Sequence, residues 1–286
     1  MDPTTLTIQE AATRLGLHYM TVYRYVRIGR LPAEYRDGRW HIAAHDLESV
    51  KKRPAGRPAM PTATNGAAKR RRPAAGVAAT RMYDRLLAGD GPGAWLLVEN
   101  ALLAGGPSDV YVQILGPALK AIGDSWEAGR ITVADEHRAT VLALGIIGRL
   151  GPLFTRRGRH RPGCVLLAGA QGDPHAIPLI MVGDLLRANG FQVVQLGADV
   201  PLETLLASVV ANRPAVVGIS ASTAQAAKQA AEAVAALHDL VGDMPVIVGG
   251  PAVTSQAQAT ELGADGWAAD ATRAVELIVE MSGGAA

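Results

Sequence analysis

The stretch Cys164-Val165-Leu166-Leu167-Ala168-Gly169 decides the fold class, because it is a short apolar run that ends in glycine and precedes a helical pattern. Four further runs of this kind follow it: Gln192–Gly197, Ala215–Ala221, Pro245–Gly250 and a weaker Gly266–Ala269. Helical patterns alternate with these runs at about 178–189, 202–212, 224–241, 255–262 and 271–281. Strands that alternate with helices in this way form a parallel, doubly wound sheet. We therefore expect a five-stranded parallel α/β domain at 159–286.

Only helical patterns precede this segment, between about 78 and 155. Short breaks, most of them rich in glycine, divide them into four predicted helices, which span 78–89, 93–104, 108–128 and 133–154. Helices of this length joined by such short breaks favour an antiparallel four-helix bundle. We place this bundle at 77–158.

A basic segment lies ahead of the bundle. Residues 51–73 hold eight lysines and arginines and no acidic residue, and without them the formal net charge of the chain would fall from +2 to −6. The surrounding sequence is rich in proline, alanine and glycine without an apolar period, which predicts a flexible basic linker at 53–76. Its charge suits sequence-independent attraction to DNA phosphates, although a merely soluble spacer would have the same composition.

Residues 1–52 carry two helical patterns separated by a short turn. Thr7-Ile8-Gln9-Glu10 is a capping box, and Gly16 is a stop signal for the first helix. The second pattern, Met20–Ile28, places apolar side chains on one face and leaves three polar side chains outward: Thr21, Arg24 and Arg27. Two helices joined by such a turn form a helix-turn-helix, whose second helix enters the major groove of DNA.

An Asp37-Gly38 turn between strand-like flanks follows and predicts a hairpin. Arg36 and Arg39 on this hairpin would contact the DNA backbone as a wing. The run from Thr21 to Leu47 resembles the winged helix-turn-helix readers of the MerR and excisionase families, which implies DNA binding by this segment. The alternative is a small helical adaptor for another protein, with solvated arginines on its surface.

The composition excludes several classes of protein. The chain has 286 residues, 49% of them apolar, and a single cysteine, so wholesale disorder, a disulfide framework and a cysteine-based zinc site are ruled out. No run of 18 apolar residues occurs, and Met1-Asp2-Pro3 does not begin a signal peptide. We therefore expect a soluble, cytoplasmic protein that does not enter a membrane.

The loop after the first strand of the α/β segment contains Asp173-Pro174-His175. It has neither a Gly-x-Gly-x-x-Gly nor a Gly-Lys-Ser/Thr motif, which excludes the usual nucleotide-binding loops. Histidine is a common metal ligand, and a neighbouring carboxylate can fix its tautomer, although a structural loop histidine would have the same neighbour. Two other loops at the same sheet edge supply small residues that leave room for a large ligand: Ser220, Ser222, Gly249 and Gly250.

This set resembles the cobalamin-binding domain of methionine synthase, methylmalonyl-CoA mutase and their relatives, which has a flavodoxin-like fold. The family signature is Asp-x-His-x-x-Gly, then Ser-x-Leu, then Gly-Gly. The resemblance implies that His175 is the lower ligand of cobalt and Asp173 its orienting partner. It also implies that Ser220 donates a hydrogen bond to the nucleotide tail of the cofactor, and that Gly249 and Gly250 form the floor beside this tail.

Two positions depart from that signature. Pro178 stands where the motif has glycine, and Ser222 stands in the same site where the motif has leucine. Proline is tolerated in the first turn of a helix, so we still expect a helix to follow His175. Close approach of the tail at Pro178 is less favoured than in the family.

The fourth predicted helix of the bundle carries polar residues on its apolar face. At about 100° per residue, Val133, Glu136 and His137 share a face with Thr140, Leu144 and Ile147. Burial of a carboxylate or an imidazole without a partner costs several kcal/mol. These two side chains therefore either meet a polar ligand or reach water at the end of the bundle, in which case Trp126 is a core residue.

The spacing between Trp126 and Glu136-His137, together with the order of the four segments, resembles the light-sensing cobalamin regulators of the CarH type. The resemblance implies that the bundle covers the upper face of adenosylcobalamin, with Trp126 over the adenosyl group and Val133, Glu136 and His137 around it. It also implies a dark, cofactor-bound tetramer, or dimer of dimers, that binds operator DNA and represses transcription until light breaks the cobalt–carbon bond. The family has a cobalt-ligating histidine directly after the tryptophan, and Glu127 stands there in this chain.

We therefore interpret the chain as a cobalamin-dependent transcriptional regulator without catalytic turnover, with adenosylcobalamin or methylcobalamin as its cobalt cofactor. One alternative is a corrinoid carrier that passes methyl groups between partner proteins, for which a DNA reader would have no purpose. The other is a DNA-binding regulator that senses a different ligand in the same pocket, which the departures at Pro178 and Ser222 keep open.

Overall fold

The structure is a computed structural model, which describes residues 5–17, 22, 25–26, 31–36, 39–47, 75–155 and 161–282. The described residues form two compact units, one within 1–74 and 120–139 and the other within 75–119 and 140–286. In these ranges no helix combines the length and the apolar character needed to cross a membrane.

The N-terminal domain begins with a capped helix. Helix α1 (Ile8–Leu15) starts at Thr7, whose Oγ1 accepts the Glu10 backbone N–H at 3.3 Å while the Glu10 carboxylate accepts the Thr7 N–H at 2.8 Å. Gly16, with φ 65°, ends the helix in the left-handed conformation. The predicted capping box and stop signal are therefore confirmed.

A three-stranded antiparallel sheet completes this domain. Strand β3 (Arg39–Ala43) pairs with β2 (Glu34–Arg36) and also with β1 (Thr5–Leu6), which the sequence pattern did not predict. Of the second predicted helix, Val22, Tyr25 and Val26 are described and are helical. The domain core is made of buried apolar side chains from the helices, strand β3 and the segments between them: Ile8, Ala11, Ala12, Val22, Val26, Leu31, Ile42 and Leu47.

The helical region has the four predicted helices. The first two are α2 (Ala75–Ala88) and α3 (Gly91–Ala104). The third runs in three segments, α4 (Pro107–Asp109), a π-helical turn (Val110–Leu115) and α5 (Gly116–Glu127). The fourth is α6 (Val133–Leu150), which continues into a 3-10 turn (Gly151–Phe154). The π-helical turn is a feature that hydrophobic periodicity did not predict, and turns of this kind are frequent at functional positions.

The α/β domain is a five-stranded parallel sheet. Its strands are β4 (Cys164–Gly169), β5 (Gln192–Gly197), β6 (Val216–Ser220), β7 (Val246–Gly249) and β8 (Gly266–Ala268), and their order is β5-β4-β6-β7-β8. Its helices are α7 (Ile177–Ala188), α8 (Leu202–Asn212), α9 (Ala224–Val241), α10 (Gln256–Glu261) and α11 (Ala271–Ser282). The winding direction reverses between β4 and β6, and the loops after these strands meet at the carboxyl edge of the sheet. The predicted doubly wound fold is confirmed.

The two faces of the sheet bury separate cores, because side chains along a strand alternate in direction. Val165 and Leu167 of β4 pack in one core with residues of α7 and α11. Leu166 and Ala168 pack in the other core, with residues of α8, α9 and α10. Both faces of β4 are therefore covered, which explains its uninterrupted apolar sequence.

A buried hydrogen bond joins the helical region to the α/β domain. Tyr111, fully buried in the π-helical turn, donates from its hydroxyl to Asp184 Oδ2 at 2.8 Å. Asp184 lies on α7 and also accepts from Arg187 Nη1 at 2.9 Å, while the Tyr111 ring stacks on Phe154 with 4.6 Å between ring centroids. Burial, and then the hydrogen bond to the Asp184 carboxylate, raise the pKa of Tyr111. We call these four residues the domain joint.

Candidate functional site

The predicted histidine lies in the loop that links β4 to α7 at the carboxyl edge of the sheet. Helix α7 begins at Ile177 with Pro178 in its first turn, so the helix forms as expected despite the proline. The His175 side chain is 56% exposed. The loop thus holds an imidazole at the sheet edge where ligands of doubly wound folds bind.

The Asp173 carboxylate orients the His175 imidazole. Its Oδ1 lies 2.7 Å from His175 Nδ1 and also accepts the His175 backbone N–H at 3.1 Å. Its Oδ2 accepts the backbone N–H of Ser222, in the loop after β6, at 2.5 Å. Asp173 is fully buried, and these three contacts tie the loops after β4 and β6 together.

The hydrogen bonds keep this buried carboxylate ionised. Burial by itself would raise the pKa of Asp173, but hydrogen bonds from the His175 ring, the His175 N–H and the Ser222 N–H together lower the pKa below its usual value. An ionised carboxylate at Nδ1 favours the tautomer that carries its proton on Nδ1, which leaves the Nε2 lone pair for a metal.

Sequence reasoning missed Asp199, which braces the same loop. Its Oδ1 accepts the Gly172 backbone N–H at 2.6 Å, and its own N–H donates to the Asp173 carbonyl at 2.9 Å. Asp199 follows β5, the strand that pairs with β4. The only signal available in the sequence was an acidic residue two positions after a strand end, in Gly197-Ala198-Asp199.

The other predicted residues at this edge lie together at the ends of neighbouring strands. Ser220 is buried at the end of β6 and lies opposite Gly249 of β7 in the parallel register. A Cβ at Gly249 would stand 2.9 Å from the Ala268 carbonyl oxygen, and a Cβ at Gly250 (φ 102°) would stand 2.4 Å from the Ala221 carbonyl oxygen. The chain itself therefore requires both glycines, independently of any ligand.

The side chains at this edge suit a metal ion that is already bound within a cofactor. Across the described parts of the chain, no three His, Cys, Asp or Glu side chains come together as a metal site. A single imidazole, more than half exposed and held at Nδ1 by a carboxylate, suits a cobalt ion that takes most of its ligands from a corrin ring. The residues present therefore fit cobalamin, with His175 as the protein ligand.

The remaining residues predicted to bind the cofactor lie at the turn between α5 and α6, within the unit that holds residues 120–139. Gly129, with φ 69°, ends α5, and Thr132 and Asp135 cap α6 by reciprocal hydrogen bonds of 3.0 and 3.1 Å. Trp126 is half-buried and Val133 is buried at this turn.

The predicted face of α6 is buried only in part. His137 was predicted to share the inward face of the helix, but its side chain is 67% exposed, and Leu144 is 40% exposed as well. Val133 and Ile147 of the predicted face are buried, and four small or aliphatic residues are buried beside them: Ala139, Ala143, Ile146 and Leu150. Glu136 is partly buried, and its carboxylate lies 2.6 Å from His137 Nδ1.

The predicted DNA contacts are described only in part. Thr21, Arg24 and Arg27 lie outside the described residues, as does most of the basic linker. Arg36 and Arg39 pair with each other across the β2–β3 hairpin, which confirms the predicted backbone of the wing. Their side chains are also outside the description.

Three family models match the chain. A helix-turn-helix domain matches residues 5–53, and two B12 binding domains match residues 78–150 and 163–276. These matches cover the winged helix-turn-helix, the helical region and the α/β domain with its His175 loop.

Individual relatives match a little less than two thirds of this chain. The chain is 33% identical over 183 residues to the HTH-type transcriptional repressor CarH of Myxococcus xanthus, which covers 63% of this chain and 57% of the repressor. It is 30% identical over 194 residues to the dimethylamine corrinoid protein of Methanosarcina barkeri, which covers 65% of this chain and 88% of that protein.

A solved structure supports the fold. The monomethylamine corrinoid protein of Methanosarcina barkeri is similar with a TM-score of 0.62 at 26% identity, over 70% of this chain and 95% of that one. The chain therefore belongs to the B12-binding corrinoid proteins, and it carries a helix-turn-helix domain ahead of its two B12 binding domains.

Proposed function

We propose that this protein is a cobalamin-dependent transcriptional regulator without catalytic turnover, in which the state of the bound cofactor sets oligomerisation and DNA binding. The observation that carries the proposal is the 2.7 Å contact between Asp173 Oδ1 and His175 Nδ1. This contact would orient the imidazole to hold cobalt, in the same chain as a winged helix-turn-helix. The similarity to a transcriptional repressor supports the regulatory role.

The finer features of the proposal concern the cofactor. Bound adenosylcobalamin supplies a cobalt–carbon bond that light breaks, and methylcobalamin is the second candidate. Trp126, Val133, Glu136 and His137 would contact the upper ligand of the cofactor, and the packing of the α5–α6 turn would then depend on whether that ligand is bound. Glu127 stands where the family has a histidine, so this position would supply no second imidazole to the cofactor.

The DNA side of the proposal rests on the N-terminal domain. Thr21, Arg24 and Arg27 read operator DNA in the major groove, Arg36 and Arg39 hold its backbone, and the basic linker adds phosphate attraction. In the dark, the cofactor-bound chain forms a tetramer, or dimer of dimers, that represses transcription. Such a tetramer makes twice as many DNA contacts as a dimer. The proposed bounds are 1–52 for this domain, 53–76 for the linker, 77–158 for the bundle and 159–286 for the cobalamin domain.

The first test is size-exclusion chromatography of the full chain with absorbance spectra, with and without adenosylcobalamin or methylcobalamin, before and after illumination. We expect a coloured, larger oligomer in the dark with adenosylcobalamin and a smaller one after light. His175→Ala should weaken cobalamin retention by about tenfold or more. His238→Ala is the matched control, because His238 pairs with Asp265 at 3.2 Å at the opposite edge of the sheet. Equal retention by the two variants would contradict the role of His175.

The second test selects duplexes from a random DNA pool with the dark, cobalamin-loaded chain. We expect a defined recognition sequence, and Arg24→Ala should lower its affinity by ~1–3 kcal/mol. The main alternative, a corrinoid carrier, is favoured by the 30% identity to most of a dimethylamine corrinoid protein. A chain that binds cobalamin but enriches no duplex would support that alternative.

A further inference from the structure

The loop after β5 contains a backbone conformation that its sequence does not favour. Asp199 has φ 49°, and among the described residues the only other non-glycine with positive φ is Arg213, at 47°. For a residue with a Cβ, the left-handed conformation costs about 1–2 kcal/mol, which glycine avoids. Arg213 ends helix α8 in the usual position of a C-terminal glycine, whereas Asp199 ends no helix.

The side chain of Asp199 explains why an aspartate stands there. Its carboxylate accepts the Gly172 N–H at 2.6 Å, a charge-assisted hydrogen bond that a glycine cannot make. The left-handed backbone in turn directs the Asp199 N–H to the Asp173 carbonyl at 2.9 Å. Asp199 therefore holds both sides of the Gly172–Asp173 segment, and it does so across 27 residues of sequence.

The loops after β4 and β5 pack closely, which keeps the contacts of Asp199 with Gly172 and Asp173 short. These contacts are called the brace. The Val200 N–H donates to the Gly169 carbonyl at 3.1 Å, directly after the brace. A Cβ at Gly169 would lie 3.0 Å from Ala198 Cα, so the loops after β4 and β5 approach each other as closely as backbones allow. The brace is thus anchored to the ends of two paired strands.

The brace continues to the imidazole. Asp173 is held through its backbone by Asp199 and through its Oδ2 by the Ser222 N–H, and its Oδ1 receives His175. A rotation of the Gly172–Asp173 segment would move the Asp173 carboxylate, and the ring would lose the partner that sets its tautomer.

We propose that Asp199 is a positioning residue for His175: it fixes the backbone of Asp173 and thereby the tautomer and direction of the imidazole. The orienting effect is a property of the cofactor-free chain. Only its value for cobalt ligation rests on the proposed function.

The test compares two variants, in each of which glycine replaces a residue with a left-handed backbone conformation. Asp199→Gly and Arg213→Gly both relieve a left-handed non-glycine residue, so both should still fold. Only Asp199→Gly removes the carboxylate that holds the His175 loop. Asp199→Asn retains an oxygen acceptor for the Gly172 N–H and tolerates positive φ, so it serves as the rescuing variant.

The readout is the histidine tautomer in the full chain without cofactor. Long-range ¹H–¹⁵N spectra of ¹⁵N-histidine-labelled protein at about pH 8.5, above the ordinary histidine pKa of about 6.5, report it directly, and His175→Ala assigns the signal. We expect the Nδ1–H tautomer in the wild type, in Arg213→Gly and largely in Asp199→Asn, and a mixture of tautomers in Asp199→Gly. An unchanged His175 signal in Asp199→Gly would overturn the proposal.

A second measurement addresses the cofactor. Titration with adenosylcobalamin in the dark should show about tenfold weaker binding for Asp199→Gly, at the low end of losses from residues that support a metal ligand, and no change for Arg213→Gly. Equal weakening in both variants would mean a general effect of the glycine and would overturn the positioning role. If the wild type bound no cobalamin, the proposed function would fail, while the tautomer spectra would still decide on Asp199.

Discussion

The domain joint makes a quantitative prediction through Tyr111→Phe. This change removes one hydroxyl from a fully buried ring and retains the stack on Phe154. A hydrogen bond to a charged acceptor contributes about 1.5–3 kcal/mol. Because Asp184 still accepts from Arg187 at 2.9 Å, its carboxylate is not left alone, and we expect the lower part of this range, about 2 kcal/mol. For a domain of this size the loss corresponds to roughly 4–8 °C in Tm.

Urea unfolding followed by circular dichroism measures this loss, and a double-mutant cycle with Asp184→Asn isolates the pairwise term. Asp124→Asn is the control, because Asp124 and Lys120 form an exposed ion pair at 2.9 Å, which contributes about 0.5 kcal/mol or less. A Tyr111→Phe protein within about 0.5 kcal/mol of the wild type, with no coupling to Asp184, would refute the reasoning that this hydrogen bond stabilises the joint.

Three further predictions use other parts of the structure. Because the pKa of Tyr111 is raised in the folded protein, the stabilising effect of its hydroxyl is complete below the ordinary tyrosine pKa of about 10 and falls as the pH rises above that value. In unfolding experiments above this pH, the Tyr111→Phe variant should therefore lose less stability with rising pH than the wild type. Gly250→Ala should cost about 2–4 kcal/mol in urea unfolding, since its Cβ would meet the Ala221 carbonyl, whereas Gly148→Ala, with open space around it on α6, should gain about 0.5–1 kcal/mol. Thr7→Ala should lower the hydrogen-exchange protection of α1 by about 1 kcal/mol, and an unchanged exchange rate would contradict the role of the cap.

Most of the secondary structure was predictable because its signals are local. The strands and helices of the α/β domain begin and end within one residue of their predicted positions. Alternating apolar runs, a capping box and glycine stops act over a few residues, so a single sequence contains them completely. The π-helical turn at 110–115 has no such local signal, and it forms where Tyr111 reaches another domain.

The candidate site was predictable at the level of residue chemistry. An acid two residues before a loop histidine indicated the Asp173–His175 contact, which the structure contains at 2.7 Å. The face of α6 was predicted in part: Val133 and Ile147 are buried as expected, and Ala139 and Ala143 widen the buried face. His137 is exposed, in line with the alternative that it reaches water.

The amino-acid sequence by itself determined which segments are strands and helices, which loop carries the imidazole and which carboxylate stands beside it, since these depend on neighbours a few residues apart. Only the tertiary structure decided how that carboxylate is held. Its partner Ser222 lies 49 residues away, the brace from Asp199 to Gly172 spans 27 residues, and the joint from Tyr111 to Asp184 spans 73. Contacts over such distances arise when packed strands and helices bring loop ends together, and no local pattern encodes that arrangement.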